Sequence, residues 1–171
     1  VSNVDDDRQP TDVTEDWWIH VHASVRCQPA EQASGKWLVF VPVRYVDHYW
    51  RIVKQAVQDG KLGPSAKVAT ARPNPDEVDP TRRPIIVYTT DWRDQDDVRR
   101  VLGGLRSLGI SWRLTYKTDE ATTAGVYGHH AGTYVSPSGS SELINRTSTR
   151  PSRRTNRDVI GRREPSIARS E

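Results

Sequence analysis

Residues 113–117, RLTYK, set Arg113, Thr115 and Lys117 at alternate positions, with Leu114 and Tyr116 between them. In a β-strand that spacing puts two cations and a hydroxyl on one face. Such a row either faces water or lines an anion site, and other runs carry related residues. Lys36 opens KWLVFVPV, Lys67 lies inside SAKVATA, and Tyr88 sits in IIVYTT. If these strands are neighbours, one sheet face gathers several positive groups and a phenol. A lysine partly withdrawn from water near other cations loses basicity, which makes Lys67 a candidate general base. Each charge taken singly is more often a solvated surface group. Their recurrence on four strands favours the joint reading.

Other chemistries find less support. The chain has no GxGxxG after a strand, no P-loop, and no GxSxG, HExxH or CxxC. His20 and His22 share a strand face, but no carboxylate or cysteine in a matching pattern completes a ligand set, so neither metal nor cofactor is expected. Cys27 begins a polar loop without an evident base, and His129-His130 lies in a glycine-bounded loop. Trp37 beside Lys36 and Trp112 beside Arg113 suit nucleotide stacking, yet tryptophan on a sheet more often packs a core. A nucleic-acid partner is therefore not favoured.

The elements that must position these residues follow from periodicity. WWIHVHASV (17–25) alternates, with Trp17, Ile19 and Val21 on one face, and KWLVFVPV (36–43) is apolar enough to be covered on both. Asp47 is placed to cap a helix, HYWRIVKQAVQ, that Asp59-Gly60 stops. SAKVATA (65–71) is a strand, and the proline-rich RPNPDEVDPTRRP reads as a loop without regular pairing. IIVYTT (85–90) is a strand, and Asp91 or Asp94 starts a second helix whose buried stripe is Val98, Val101, Leu102, Leu105 and Leu108. ISWRLTYKT and a short TYVSP complete the series. The order β-β-α-β-β-α-β, with a last short strand, predicts an α+β fold: a mainly antiparallel sheet with helices packed on one face.

Composition bounds the whole. A chain of 171 residues, 35% apolar, holds one domain with a real core. Residues 1–16 carry a net charge of −5 and residues 137–171 one of +4, so much of the basicity sits in a tail. Both ends read as disordered flanks of a single domain over 17–136. A single cysteine fits a reducing compartment, and no signal peptide or membrane-spanning run is expected, which predicts a cytoplasmic protein.

The blocks GKWLVF, LGPSAKVAT, IIVYTTDWRDQDDVRRVLGGLRSLGI and RLTYKTDEATTAGVYG, with their spacing, resemble the phosphothreonine lyase domain family, also called the basophilic-leukemia-expressed protein family. The resemblance spans about residues 17–136. It implies a fold like the messenger-RNA cap-binding initiation factor, a curved antiparallel sheet backed by helices. It also implies a likeness to lyases that remove phosphate from phosphothreonine by β-elimination, using a lysine base, a histidine acid, and cations with a tyrosine around the phosphate. AKVAT then offers Lys67 as base, IIVYTT offers Tyr88, and GKWLVF and WRLTYK offer Lys36, Arg113 and Lys117 as phosphate-binding residues. Leu38 stands where the acid histidine is expected, a loss worth on the order of 10²–10⁴ in rate, unless His20 from a neighbouring strand supplies the proton. The expected ligand is a phosphorylated peptide or a nucleotide-like anion. Binding without catalysis is weighed slightly above β-elimination.

Overall fold

The computed structural model describes residues 7–24, 34–75, 79–119 and 133–146. Seven strands form one antiparallel sheet: β1 (Trp18–His22), β2 (Gly35–Pro42), β3 (Ser65–Ala69), β4 (Arg82–Thr89), β5 (Leu114–Thr118), β6 (Tyr134–Ser136) and β7 (Ile144–Asn145). Their spatial order is β1-β3-β4-β2-β5-β6-β7. Because β4 pairs antiparallel with both β2 and β3, those two run the same way. Likewise β4 and β5 flank β2 and run the same way. Each such pair needs a crossover, supplied by the helices α1 (Val46–Gln58) and α2 (Gln95–Ser107). The α+β expectation is met.

Both helices cover the same sheet face. Trp50, Val53 and Val57 of α1 and Val98, Val101, Leu102 and Leu105 of α2 join one core with Ile19, Val21, Trp37, Val39, Val68, Ile85, Val87 and Tyr116. The sheet members alternate along their strands, so their neighbours in sequence point the other way. Asp94 caps α2 as read from the sequence, accepting from the N–H groups of Asp96 and Asp97 at 3.2 and 3.1 Å. Gly109 ends that turn at φ +84°, a conformation open to glycine.

Several local expectations are corrected. Asp47 does not cap α1. A 3₁₀ turn (Val43–Tyr45) precedes the helix, and the Asp47 carboxylate instead accepts from Thr11, from its N–H at 3.1 Å and its hydroxyl at 2.6 Å. β4 starts three residues early, so that Arg82, Arg83 and Pro84 pair with Pro42, Val41 and Phe40. Pro84 is tolerated because the β3 ladder stops at Ile85, leaving β4 one partner there. Trp17 lies outside β1 and is 42% exposed rather than in the core.

The ordered unit is also wider than residues 17–136. Val13 is buried in the core, and the Ala71 N–H donates to the carbonyls of Pro10 and Val13, so residues 7–16 pack on the domain. At the other end β7 pairs with β6. β5 is shorter than ISWRLTYKT suggested because Arg106 claims the connector before it. That guanidinium donates to the carbonyls of Ile110, Trp112, Pro137 and Ser140 and to the Ser136 hydroxyl, tying α2 to both flanks of the β5–β6 hairpin. Residues 1–6 and 147–171, expected to be disordered, lie outside the described residues. No helix among those described is long and apolar enough to cross a membrane.

Candidate functional site

Strand β2 shows how the sequence splits the sheet into two faces. Trp37, Val39 and Val41 turn into the core, so Lys36, Leu38 and Phe40 turn to the face without helices. Residues opposite each other in neighbouring strands share a face. Lys36 is opposite Tyr88 of β4 on one side and Lys117 of β5 on the other. One step along, His20 pairs with Lys67, Lys67 with Ile86, Ile86 with Leu38, and Leu38 with Thr115. Lys67 is therefore diagonal to Tyr88. Its Nζ lies 5.9 Å from the Tyr88 ring centre, and the Lys36 Nζ lies 5.8 Å from the same ring. The ring of Trp18 sits 4.3 Å from the Lys67 Nζ.

The ammonium groups of Lys36 and Lys67 thus flank one phenol, and Lys117 lies on the far side of Lys36. The sheet withdraws all three from water. Lys117 is only 8% exposed. Burial and then the charge of Lys36 hold the Lys67 amine below the usual lysine range, with Asp119 pulling it back up. The Trp18 ring also favours the ammonium form of Lys67, since its face attracts a cation. Lys117 is lowered by burial and then by Lys36. Burial and then Asp119 push the Tyr88 phenol up, so its O–H is kept as a hydrogen-bond donor. His20 is lowered by burial, then by Lys67 and His22.

The Asp119 carboxylate answers the charge of Lys36. Asp119 Oδ1 accepts from the Lys36 Nζ at 2.7 Å, and its Oδ2 accepts from the Ser34 hydroxyl at 2.5 Å. The Asp119 N–H donates to the Ser34 carbonyl at 3.0 Å, which fixes the aspartate beside the end of β2. Beyond the lysine row the face turns apolar, through Ile86, Leu38 and the 45% exposed Phe40. A desolvated set of cations next to a phenolic donor and an apolar floor can hold an organic anion of charge two or more.

Of the residues read from the sequence, Lys36, Lys67, Tyr88 and Lys117 come together, and His20 lies beside Lys67 as its register partner. Arg113 does not join them. It precedes β5 and is exposed, and the Leu38–Thr115 pairing carries it toward the Phe40 end of the face, away from Tyr88. Leu38 occupies the centre between Ile86 and Thr115. Asp119, Ser34 and Trp18 were missed. The alternation through Arg113, Thr115 and Lys117 would have reached Asp119 had it been continued one step past Lys117. Among the described residues no three His, Cys, Asp or Glu side chains gather as metal ligands. Cys27 and His129-His130 lie outside the described residues.

A family model described as basophilic leukemia-expressed protein Bles03 matches residues 19–123, more than half of the chain. The matched span runs from β1 through β5 and contains His20, Ser34, Lys36, Lys67, Tyr88, Lys117 and Asp119.

Proposed function

Because the chain belongs to the basophilic leukemia-expressed protein family, with its open sheet face built as described, we propose that it binds a phosphorylated ligand on that face. The observation that carries this reading is the convergence of Lys67 and Lys117 from two strands on either side of Lys36, with Tyr88 beside Lys36 and Lys67 and Asp119 against Lys36. Such like charges repel one another, and their burial adds to the cost. A bound phosphate offsets both and would raise the lysines back toward their usual range. Tyr88 donates a hydrogen bond to the anion, and Leu38, Ile86 and Phe40 carry the apolar body of a phosphorylated peptide or nucleotide-like ligand. Isothermal titration with inorganic phosphate and phenyl phosphate at constant ionic strength tests it. Saturable binding should disappear in Lys36→Met and persist in Arg113→Ala. The proposal fails if the wild-type protein shows no saturable binding, or if Lys36→Met with Lys117→Met binds as before.

A second reading is β-elimination, favoured by the pairing of His20 with Lys67. The neutral Lys67 amine would take the α-proton. The released electron pair would form the Cα–Cβ double bond as the Cβ–O bond breaks, and phosphate would leave with that bonding pair and a proton from His20. The products are a dehydroamino acid and inorganic phosphate, with no water consumed. This step needs a neutral lysine beside a protonated histidine, whereas the ordinary values of the two groups favour the reverse. The competent form is a minority, so binding is the primary reading and any turnover is slow. Mass spectrometry of a phosphothreonine peptide incubated with excess protein decides it. Loss of phosphoric acid that depends on Lys67 supports elimination, and an intact peptide excludes it.

A further inference from the structure

The lysine cluster already holds an anion of its own. The Asp119 carboxylate lies 2.7 Å from the Lys36 Nζ, and Lys36 is the charge that bears on both Lys67 and Lys117. Two contacts with Ser34, one through the hydroxyl and one through the backbone, hold the aspartate there. It is the last residue before 120–132, and its side chain is 36% exposed, within reach of an incoming ligand. The field of Asp119 extends across the face, favouring the ammonium of Lys67 and the un-ionised phenol of Tyr88.

Resting on the phosphate-binding reading, we propose that Asp119 is an internal counter-ion of the lysine cluster, which a ligand anion displaces from Lys36, and that it sets the charge a ligand must carry. With Asp119 in place, its carboxylate offsets part of the positive charge of the lysines. An anion of single charge gains less from the site than a dianion and is the poorer competitor for Lys36. Each added charge on a ligand also meets repulsion from the carboxylate, which reduces what that charge gains. Removing the carboxylate charge makes the face more positive and moves the preference toward more highly charged ligands. Asp119 is thus a specificity-determining residue, while Ser34 is a positioning residue that keeps it on Lys36.

The test compares the wild-type protein, Asp119→Asn and Ser34→Ala, with sulfate, inorganic phosphate and pyrophosphate as probes. Asparagine keeps the size and can still accept from Ser34. Asp119→Asn should bind phosphate roughly tenfold more tightly than wild type and gain still more for pyrophosphate. Ser34→Ala keeps the charge but loosens it, and should give a smaller gain in the same direction. A second readout needs no ligand. Lys67 faces His20, Lys36, Tyr88, Trp18 and the field of Asp119, so its amine, followed by NMR, should titrate at lower pH in Asp119→Asn. If wild type and Asp119→Asn bind phosphate equally and pyrophosphate equally, the counter-ion proposal falls while phosphate binding stands. If neither binds phosphate, both fall.

Discussion

Tyr116 and Lys117 are adjacent on β5, point to opposite faces of the sheet, and are both buried. On the helix-covered face the polar groups are neutral, and those of Tyr116, Thr89 and Trp37 are paired, while the buried Nε1–H groups of Trp50 and Trp112 have no hydrogen-bond partner among the described residues. The Tyr116 hydroxyl shares a 2.5 Å hydrogen bond with the Thr89 hydroxyl, and the Trp37 Nε1–H donates to the Val98 carbonyl at 3.2 Å. On the open face the polar groups are charged, mostly of one sign, and held close together. The first arrangement stabilises the fold, since it is mostly apolar area and its paired hydroxyls and the Trp37 Nε1–H regain partners. The second opposes folding, because burial and the neighbouring lysine charge lower the amines. Binding of an anion, as proposed, would offset that cost.

The comparison predicts that stability and binding separate by face. Trp37→Ala removes a fully buried ring that stacks edge-on against Tyr116 at 5.2 Å, and should cost about 3–5 kcal/mol in a denaturant melt. Leu38→Ala, one residue away and half-buried on the open face, should cost less than about 1 kcal/mol. Equal losses would mean that the open face is covered by more than the described residues, and the contrast would collapse.

Gly35→Ala should break the separation. Any Cβ at Gly35 would overlap the Tyr116 hydroxyl and ring, so either β2 or Tyr116 must shift. The expected cost is about 1–3 kcal/mol. Since Gly35 precedes Lys36 and pairs with Thr118, the same shift should displace Lys36 relative to Lys117 and weaken phosphate binding. A variant that loses stability but keeps wild-type binding would show that the lysines are positioned from elsewhere.

Much of this was legible before the structure because strand alternation is strict. It put Thr115 and Lys117 on one face of β5, as helical periodicity gave the stripe of α2 from Val98 to Leu105. Strand β2, read as covered on both faces, instead leaves Lys36, Leu38 and Phe40 on the open one. What the alternation could not carry was the order of the strands. Lys36 and Lys117 are neighbours only because β5 crosses over α2 to the far side of β2, and His20 reaches Lys67 only because β1 pairs with β3. Arg113 was misjudged for a related reason. Sharing a strand face with Lys117 does not place a residue at the same end of it. The flanks were misjudged through composition. A polar, acidic lead-in still buries Val13, and the weakly apolar segment after β6 is held by the donations of Arg106 to the Pro137 and Ser140 carbonyls and by β7.

The smallest expected effect lies in the pH dependence of stability, and Lys67→Met isolates it. In the folded protein Lys67 titrates below its unfolded value, because of burial and then Lys36. Between the folded and unfolded values the unfolded chain binds more protons, so stability rises with pH through that window; Lys117 contributes with the same sign. Above a pH of about 10 the sign reverses. Tyr88 and Tyr116 are raised by burial in the folded state, so unfolded tyrosines release protons first and stability falls. Below the window the charged Lys67 carries a net cost, only partly offset by Asp119 and Trp18, that methionine lacks. Lys67→Met should therefore melt slightly above wild type near neutral pH, by no more than about 2 °C, since partial exposure screens the charge and the Trp18 contact is lost. That advantage should shrink as the pH rises through the folded-state value of Lys67, which burial and Lys36 hold below the usual lysine range. Phosphate should abolish it from the other side, by stabilising only the protein that still binds the anion. A Lys67→Met variant that melts well below wild type at neutral pH, with the gap narrowing at alkaline pH, would show that the ammonium stabilises this face, and the contrast between the two faces would be lost.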